Sequence, residues 1–449
     1  MDEPMNKRLK TMRKDAEEIF QAGLAAVAPG TAIKKFCKRK ENCLWIDDKE
    51  YDLNGFERVV VLGAGKAGAS MAKAIEDLVK DRIDDGLIVV KYGHTEPLEK
   101  VRTIEAGHPL PDLNGYSGAQ AMHELARSAD ENTLIICLIS GGGSALMPYP
   151  VTGVSLEEKQ KTTELLLGCG ADIHEVNTIR KHLSQMKGGG LARIAFPATI
   201  VCLILSDVVG DDLDSIASGP CVADSKTFFD CNSVLKKYGL EEKVPVTVKE
   251  HLQKGVSGLV DETPKEDSPL FDQIFTVVIG SNFEALVASK KKAEELGYNT
   301  LLLSSLIEGE TKDVAAFHMA LAKEIVLHNE PVAVPACLLS GGETTVTLEG
   351  QGKGGRNQEF VLSAAMEMKN MQNTVVFSAG TDGTDGPTDA AGAIVDNTIL
   401  ERAKVAGLSP QEYLRENDSF HFFEALGDLY KTGPTNTNVM DIRIILVEA

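Results

Sequence analysis

At 449 residues with a formal charge of −20, the chain is too long for one compact core and too acidic to suit a nucleic acid or an anionic membrane surface as partner. No stretch approaches about 18 uncharged apolar residues, and the N-terminus carries acids early with no apolar core, so neither a membrane span nor a secretory leader is expected. Eight cysteines scattered without a CxxC pair, and nine histidines without HExxH spacing, indicate buried thiols in a reducing, cytoplasmic compartment rather than a disulfide framework or structural zinc.

After an N-terminal helix, residues 58–62 (RVVVL) form a buried strand, and GAGKAGASMAKAIEDLVK then makes a glycine turn that feeds an amphipathic helix. Gly63, Gly65 and Gly68 satisfy the dinucleotide fingerprint, a weak signal when alone. The next strand, 86–90, ends in Lys91 and Tyr92, so the carboxylate that would hold a ribose is missing. Lys66 stands at a helix N-terminus, which already favours an anion. It reads as a lysine aimed at a phosphoryl group or a substrate carboxylate, with a solvated helix-start lysine as the plainer alternative.

A second strand, 134–139 (LIICLI), runs into Ser140, Gly141, Gly142, Gly143 and Ser144. Such a loop is either a strand-to-helix turn or a phosphate cradle, with backbone donors and no side chains in the way. Arg180, Lys181 and Lys187 then cluster in an otherwise acidic chain, and on a helix Arg180, Ser184 and Lys187 would share a face. The strand 198–205 ends in Ser206 and Asp207, with Asp211, Asp212 and Asp214 close behind. Any one of these carboxylates is also explained as a helix cap.

Alternating strands and helices from Arg58 to about Cys221 imply a Rossmann-like, doubly wound parallel α/β sheet. The polar segment 235–269 suggests a junction, giving an N-terminal domain over 1–240 and a smaller α/β domain over 241–449, with the active site in the cleft between them. In the second domain the strand 334–339 leads to Ser340, Gly341, Gly342 and Glu343. The strand 374–377 leads to SAGTDGTDGPTDAAG, which holds Thr381, Asp382 and Asp385, and Arg356 lies between the two runs. Open α/β sheets bind ligands beyond the carboxyl ends of their strands, so these loops read as an anionic-substrate site. A polar loop with Thr435 precedes a last strand, 442–447.

The motifs GAGKAG, LISGGGSALM, NTIRKHLSQMKGGGLA, SDVVGDDLDSIASGP, LSGGETTVTL, GKGGRNQEF, SAGTDGTDGPTDAAGA and TGPTNTNVMD occur in that order. Together they resemble the glycerate 2-kinases with a C-terminal MOFRL domain, over residues 16–445. The resemblance implies transfer of the γ-phosphoryl of ATP to a hydroxyl of D-glycerate, giving 2-phosphoglycerate, with Mg²⁺. It places the family's catalytic lysine on Lys66 and its arginine on Arg356. Asn436 departs from the family's TGPTGTN, but asparagine tolerates a left-handed backbone.

Phosphoryl transfer needs positioning and charge neutralisation more than covalent chemistry, and Arg356 offers a planar fork for the glycerate carboxylate. Asp207 and Asp382 are candidates for Mg²⁺ ligand or base. The chain has no GxxxxGK[ST], HRD or DFG signature, so kinase chemistry would come from another scaffold. The alternatives are an NAD(P)H-dependent hydroxypyruvate reductase, a kinase giving 3-phosphoglycerate, or a non-catalytic ligand-binding protein. Small-molecule partners and a monomer or homodimer are expected.

Overall fold

The structure, a computed structural model, describes residues 3–448. It divides into two compact units. A central unit runs from Ala32 to Ile279, and a terminal unit takes the chain up to Thr31 together with everything from Gly280. The boundary expected between residues 240 and 241 therefore lies elsewhere, and the N-terminal helix belongs with the C-terminal half. Two packing facts explain this. The strand Ile274–Gly280 joins the edge of the central sheet. The helix Glu3–Ala26 lies against the helix Asn282–Glu295, where Ser289 Oγ donates to Ile19 O at 3.0 Å. The polar segment 235–269 is no linker: its helix Val246–Val256 comes so close to Phe228 that a Cβ on Gly255 would meet the ring at 2.2 Å.

The central unit opens with a small antiparallel sheet of β1 (Cys37–Lys40), β2 (Cys43–Ile46) and β3 (Lys49–Asp52). Its main sheet contains β4 (Arg58–Ala64), β5 (Asp85–Lys91), β6 (Arg102–Ala106), β7 (Thr133–Ile139), β8 (Thr199–Leu205) and β9 (Ile274–Gly280), in the order β6-β5-β4-β7-β8-β9. β4 to β8 pair in parallel. Alternate residues feed two cores: Val60, Leu62, Ile135 and Cys137 on one face, Val59, Val61, Leu134 and Ile136 on the other. Burial on both faces is why these strands read as unbroken apolar runs. The strand order reverses between β4 and β7, the switch point at which doubly wound sheets bind ligands.

The terminal unit holds β10 (Asn299–Leu302), β11 (Ala336–Gly342), β12 (Thr374–Gly380), β13 (Gly392–Asp396), β14 (Leu429–Tyr430) and β15 (Asp441–Val447), in the order β10-β11-β15-β12-β13-β14. β15 runs antiparallel between β11 and β12, and its first residue, Asp441, pairs with Gly342 on one side and Gly380 on the other. Ser340, Gly341 and Gly342 are therefore strand residues, not the loop expected. Gly341 is required by packing, since a Cβ there would sit 1.8 Å from Asn282 Oδ1. Asn436 adopts φ +59°, the left-handed conformation its replacement of glycine demands.

All eight cysteines are free thiols. Cys137, Cys202 and Cys221 bring their sulfurs within 4.8 Å of one another inside the central core. Among the described residues no helix is long and apolar enough to cross a membrane.

Candidate active site

At the switch point the two glycine loops interlock. Lys66 N donates to Gly141 O at 2.8 Å, Ser140 N to Ala64 O at 3.1 Å, and Ala67 N to Ser140 Oγ at 3.0 Å. A Cβ on Gly63 would lie 2.3 Å from Leu138 O, and one on Gly65, at φ +140°, would lie 2.1 Å from Ser140 Oγ. Gly63, Gly65 and Ser140 thus let β4 and β7 approach closely. Lys66 is half-buried just ahead of the helix Gly68–Val79, whose first turn has neither an acid nor a side-chain cap. That end carries the positive pole of the helix.

Gly142, at φ +83°, comes close to both Lys66 and His108: a Cβ on it would be 3.6 Å from Lys66 Cγ and 2.8 Å from the His108 ring. The amides of Gly141 and Gly142 have no protein acceptor among the described residues. Gly143 begins a one-turn helix, Gly143–Leu146, and Ser144 Oγ lies 3.0 Å from Ser218 Oγ.

The shared helix face expected for Arg180, Ser184 and Lys187 does not form. The helix Ile173–His182 ends before Ser184, which bridges to Pro150, and Gly188 and Gly189 turn the chain at φ +55° and +75°. Arg180 and Lys187 nevertheless line one cavity together with Ser144. Lys187 is buried, donating from Nζ to Ser144 O at 2.8 Å and Met147 O at 3.1 Å. Burial, then the Arg180 charge, draws its ammonium down to about 7. Arg180 has no hydrogen bond or ion pair among the described residues, and burial lowers its pKa. Of the acids after β8, Asp207 is half-buried, Asp212 accepts from Ser215 Oγ at 2.8 Å, and Asp214 pairs with Lys181.

In the terminal unit Arg356 starts the helix Arg356–Glu367. Its Nε and Nη2 donate to the two oxygens of Asp441 at 2.7 and 3.0 Å, and its Nη1 pairs with Glu343 at 2.7 Å. The fork expected for a substrate carboxylate is therefore already closed on a protein carboxylate. Burial works against that guanidinium's charge, but Asp441 and then Glu343 outweigh it and raise its pKa. Asp441, fully buried, also accepts from Asn357 Nδ2 at 2.9 Å and Arg443 Nη2 at 3.3 Å.

Asp385 does not face solvent. Its oxygens accept from the backbone amides of Asn357 and Gln358, at 3.0 and 2.9 Å, and cap the same helix. Burial pushes its carboxyl up to about 6. Thr381 is buried, its hydroxyl donating to Met440 O at 2.7 Å, and Thr435 donates to Thr381 O at 2.6 Å. Ser340 Oγ donates to His318 Nε2 at 2.7 Å in the interior. Asp382 is half-buried beyond β12 and accepts from Thr384 N and Oγ1 at 3.0 and 2.9 Å.

Residues 15–253 match a family described as a domain of unknown function, DUF4147, and residues 336–441 match the MOFRL family. The chain is 42% identical to the glycerate 2-kinase of Pyrococcus horikoshii over 94% of each chain. It is 41% identical to the D-glycerate 2-kinase of Thermotoga maritima over 98% of this chain and 99% of that one. The chain belongs to the glycerate kinase family with a C-terminal MOFRL domain. A crystal structure of the Thermotoga maritima glycerate kinase superposes on it with a TM-score of 0.87 at 41% identity, covering 98% of this chain and all of that one.

Asp441, which holds Arg356 in place, and its further donors Asn357 and Arg443 are not among the site residues that the sequence singles out. A single arginine inside the apolar strand DIRIILV was the available sign of a buried counter-ion nearby, because a charge in a core demands a partner.

Proposed function

We propose that the protein transfers the γ-phosphoryl of ATP to the 2-hydroxyl of D-glycerate, as a cytoplasmic enzyme using Mg²⁺. The observation that carries this reading is the gathering of Lys66, Arg180 and Lys187 about the glycine loops of the switch point in a chain of net charge −20. In-line phosphoryl transfer needs such groups to neutralise charge on the moving phosphoryl. Lys66 would stabilise that charge, and the amides of Gly141 and Gly142 would hold phosphate oxygens. Arg180 and Lys187 would hold the rest of the polyphosphate.

Mg²⁺ takes hard oxygen donors, usually one or two carboxylates together with phosphate and water. Asp207 and Asp382, each half-buried just past a strand end, suit that role. The buried cysteine trio is soft and does not. Magnesium would screen the phosphate charges, and the carboxylate that does not bind it would accept the proton of the glycerate hydroxyl. Arg356 has five N–H donors, of which three go to Asp441 and Glu343. A substrate carboxylate would thus meet an arginine already fixed in place, through its remaining N–H groups.

The experiment is a pair of assays on the purified protein, D-glycerate with MgATP in one and hydroxypyruvate with NAD(P)H in the other. Glycerate-dependent ADP formation without NAD(P)H oxidation is expected. Oxidation of NAD(P)H without ADP formation would replace the kinase reading by a reductase.

A further inference from the structure

The cavity beside the second glycine loop has a composition that polyphosphate binding alone does not explain. It encloses about 400 Å³, a size that suits a small organic ligand. Three basic residues, Lys159, Arg180 and Lys187, line it. Lys159 is buried, and its Nζ donates to the carbonyl of Leu183 at 3.0 Å. Burial, followed by the charges of Lys187 and Arg180, drives its pKa far down, because its charged form has no anion here to offset the loss of water. The carboxylate on the lining is Glu164, which is exposed and lies 3.7 Å from Lys161. Desolvated like charges without a counter-ion are unfavourable, and an arriving anion removes the cost.

The same lining has an apolar part, with Pro109, Leu110, Pro111, Pro148, Leu156 and Leu167. Leu110 and Leu167 are 72% and 58% exposed. Apolar side chains left open around a cavity mark a place for an apolar surface. D-glycerate is small and hydrophilic throughout and has nothing to set against this wall.

We infer that this cavity is the seat of the donor nucleotide, with the base against Leu110 and Leu167 and the polyphosphate on Lys159, Arg180 and Lys187. The inference rests on the kinase reading and adds to it Lys159 and an apolar base platform. Geometry ties the cavity to Lys66. Pro109 follows His108, whose ring and the Lys66 stem both flank Gly142, and Ser144, which lines the cavity, receives the Lys187 ammonium.

Calorimetric titration tests it with three probes: ADP, inorganic tripolyphosphate and D-glycerate. Arg180→Met and Lys159→Met should each weaken ADP and tripolyphosphate by about tenfold or more, since each removes a desolvated charge contact. Glycerate affinity should not change. Leu110→Ser, on the surface, should weaken ADP several-fold and leave tripolyphosphate alone. Should Lys159→Met fail to fold, Arg180→Met and Leu110→Ser decide the matter. Unchanged ADP affinity in the cation variants overturns the inference, as does a loss confined to glycerate. Equal loss of ADP and tripolyphosphate in Leu110→Ser overturns the base platform. ADP binding lost in these variants of a protein that does not phosphorylate glycerate would sink the kinase reading and leave the cavity assigned. Active variants with normal nucleotide KM would do the reverse.

Discussion

Arg180 in the central unit and Arg356 in the terminal unit both lie near glycine-rich strand ends, yet their electrostatic situations are opposite. Arg180 has no carboxylate partner among the described residues and shares its cavity with two buried lysines, Lys159 and Lys187. Arg356 is closed bidentately on Asp441 and paired with Glu343. A cation that folding leaves without a counter-ion is set up to meet one from solution. A cation that folding satisfies instead fixes the geometry around it. Residue type and a glycine loop nearby do not separate the two cases, whereas the partner atoms do.

The comparison breaks most visibly at Asp441. Asp441→Ala leaves Arg356 and the fully buried Arg443 without their shared carboxylate. The terminal unit should lose about 3–5 kcal/mol, the usual result of orphaning a buried ion pair. Urea unfolding checks this, and a loss under about 1 kcal/mol would mean that the cluster behaves like a surface pair. Arg356→Lys keeps the charge but not the fork, so a smaller cost of about 1.5–3 kcal/mol is expected in the same assay, one charged hydrogen bond's share.

The units should also differ in their response to acid. Asp385, raised to about 6 by burial, holds its proton more tightly folded than unfolded. Its contribution to stability is present below about pH 4 and is lost as pH rises through 6. Glu262 of the central unit is the opposite case. Burial raises its carboxyl, but His182 and the amides of Phe228 and Thr263 bring it down to about 2. Its contribution stands above the ordinary glutamate pKa and is lost as pH falls toward 2. Urea midpoints of the terminal unit compared at pH 4.5 and 6.5 should therefore show a fall that Asp385→Asn removes. An unchanged slope in that variant would place the titration elsewhere.

Much of this was legible in the sequence where local pattern and fold agree. Residues 58–62 and 134–139 read as buried strands and lie within β4 and β7, because both sheet faces are covered. Lys66 stands at a helix start, as GAGKAG implied, and Asn436 takes the left-handed turn. What failed depended on distant chain. Gly341 read as loop but sits in β11, since the side chain lying against it, Asn282, comes from another element. Asp385 read as a ligand carboxylate but caps a helix that begins 29 residues earlier, at Arg356. Asp441 became visible only through the insertion of β15 between β11 and β12.

The most direct measurement is phosphorus NMR of the product made from D-glycerate and MgATP by the wild-type protein and by Lys66→Ala, each verified as folded. Removing one charge-stabilising donor from a preorganised site typically costs ~3 kcal/mol, or about a hundredfold in rate. The expected result is 2-phosphoglycerate from the wild type, formed about a hundredfold more slowly by the variant. Either 3-phosphoglycerate as product or an undiminished rate in Lys66→Ala would contradict the account.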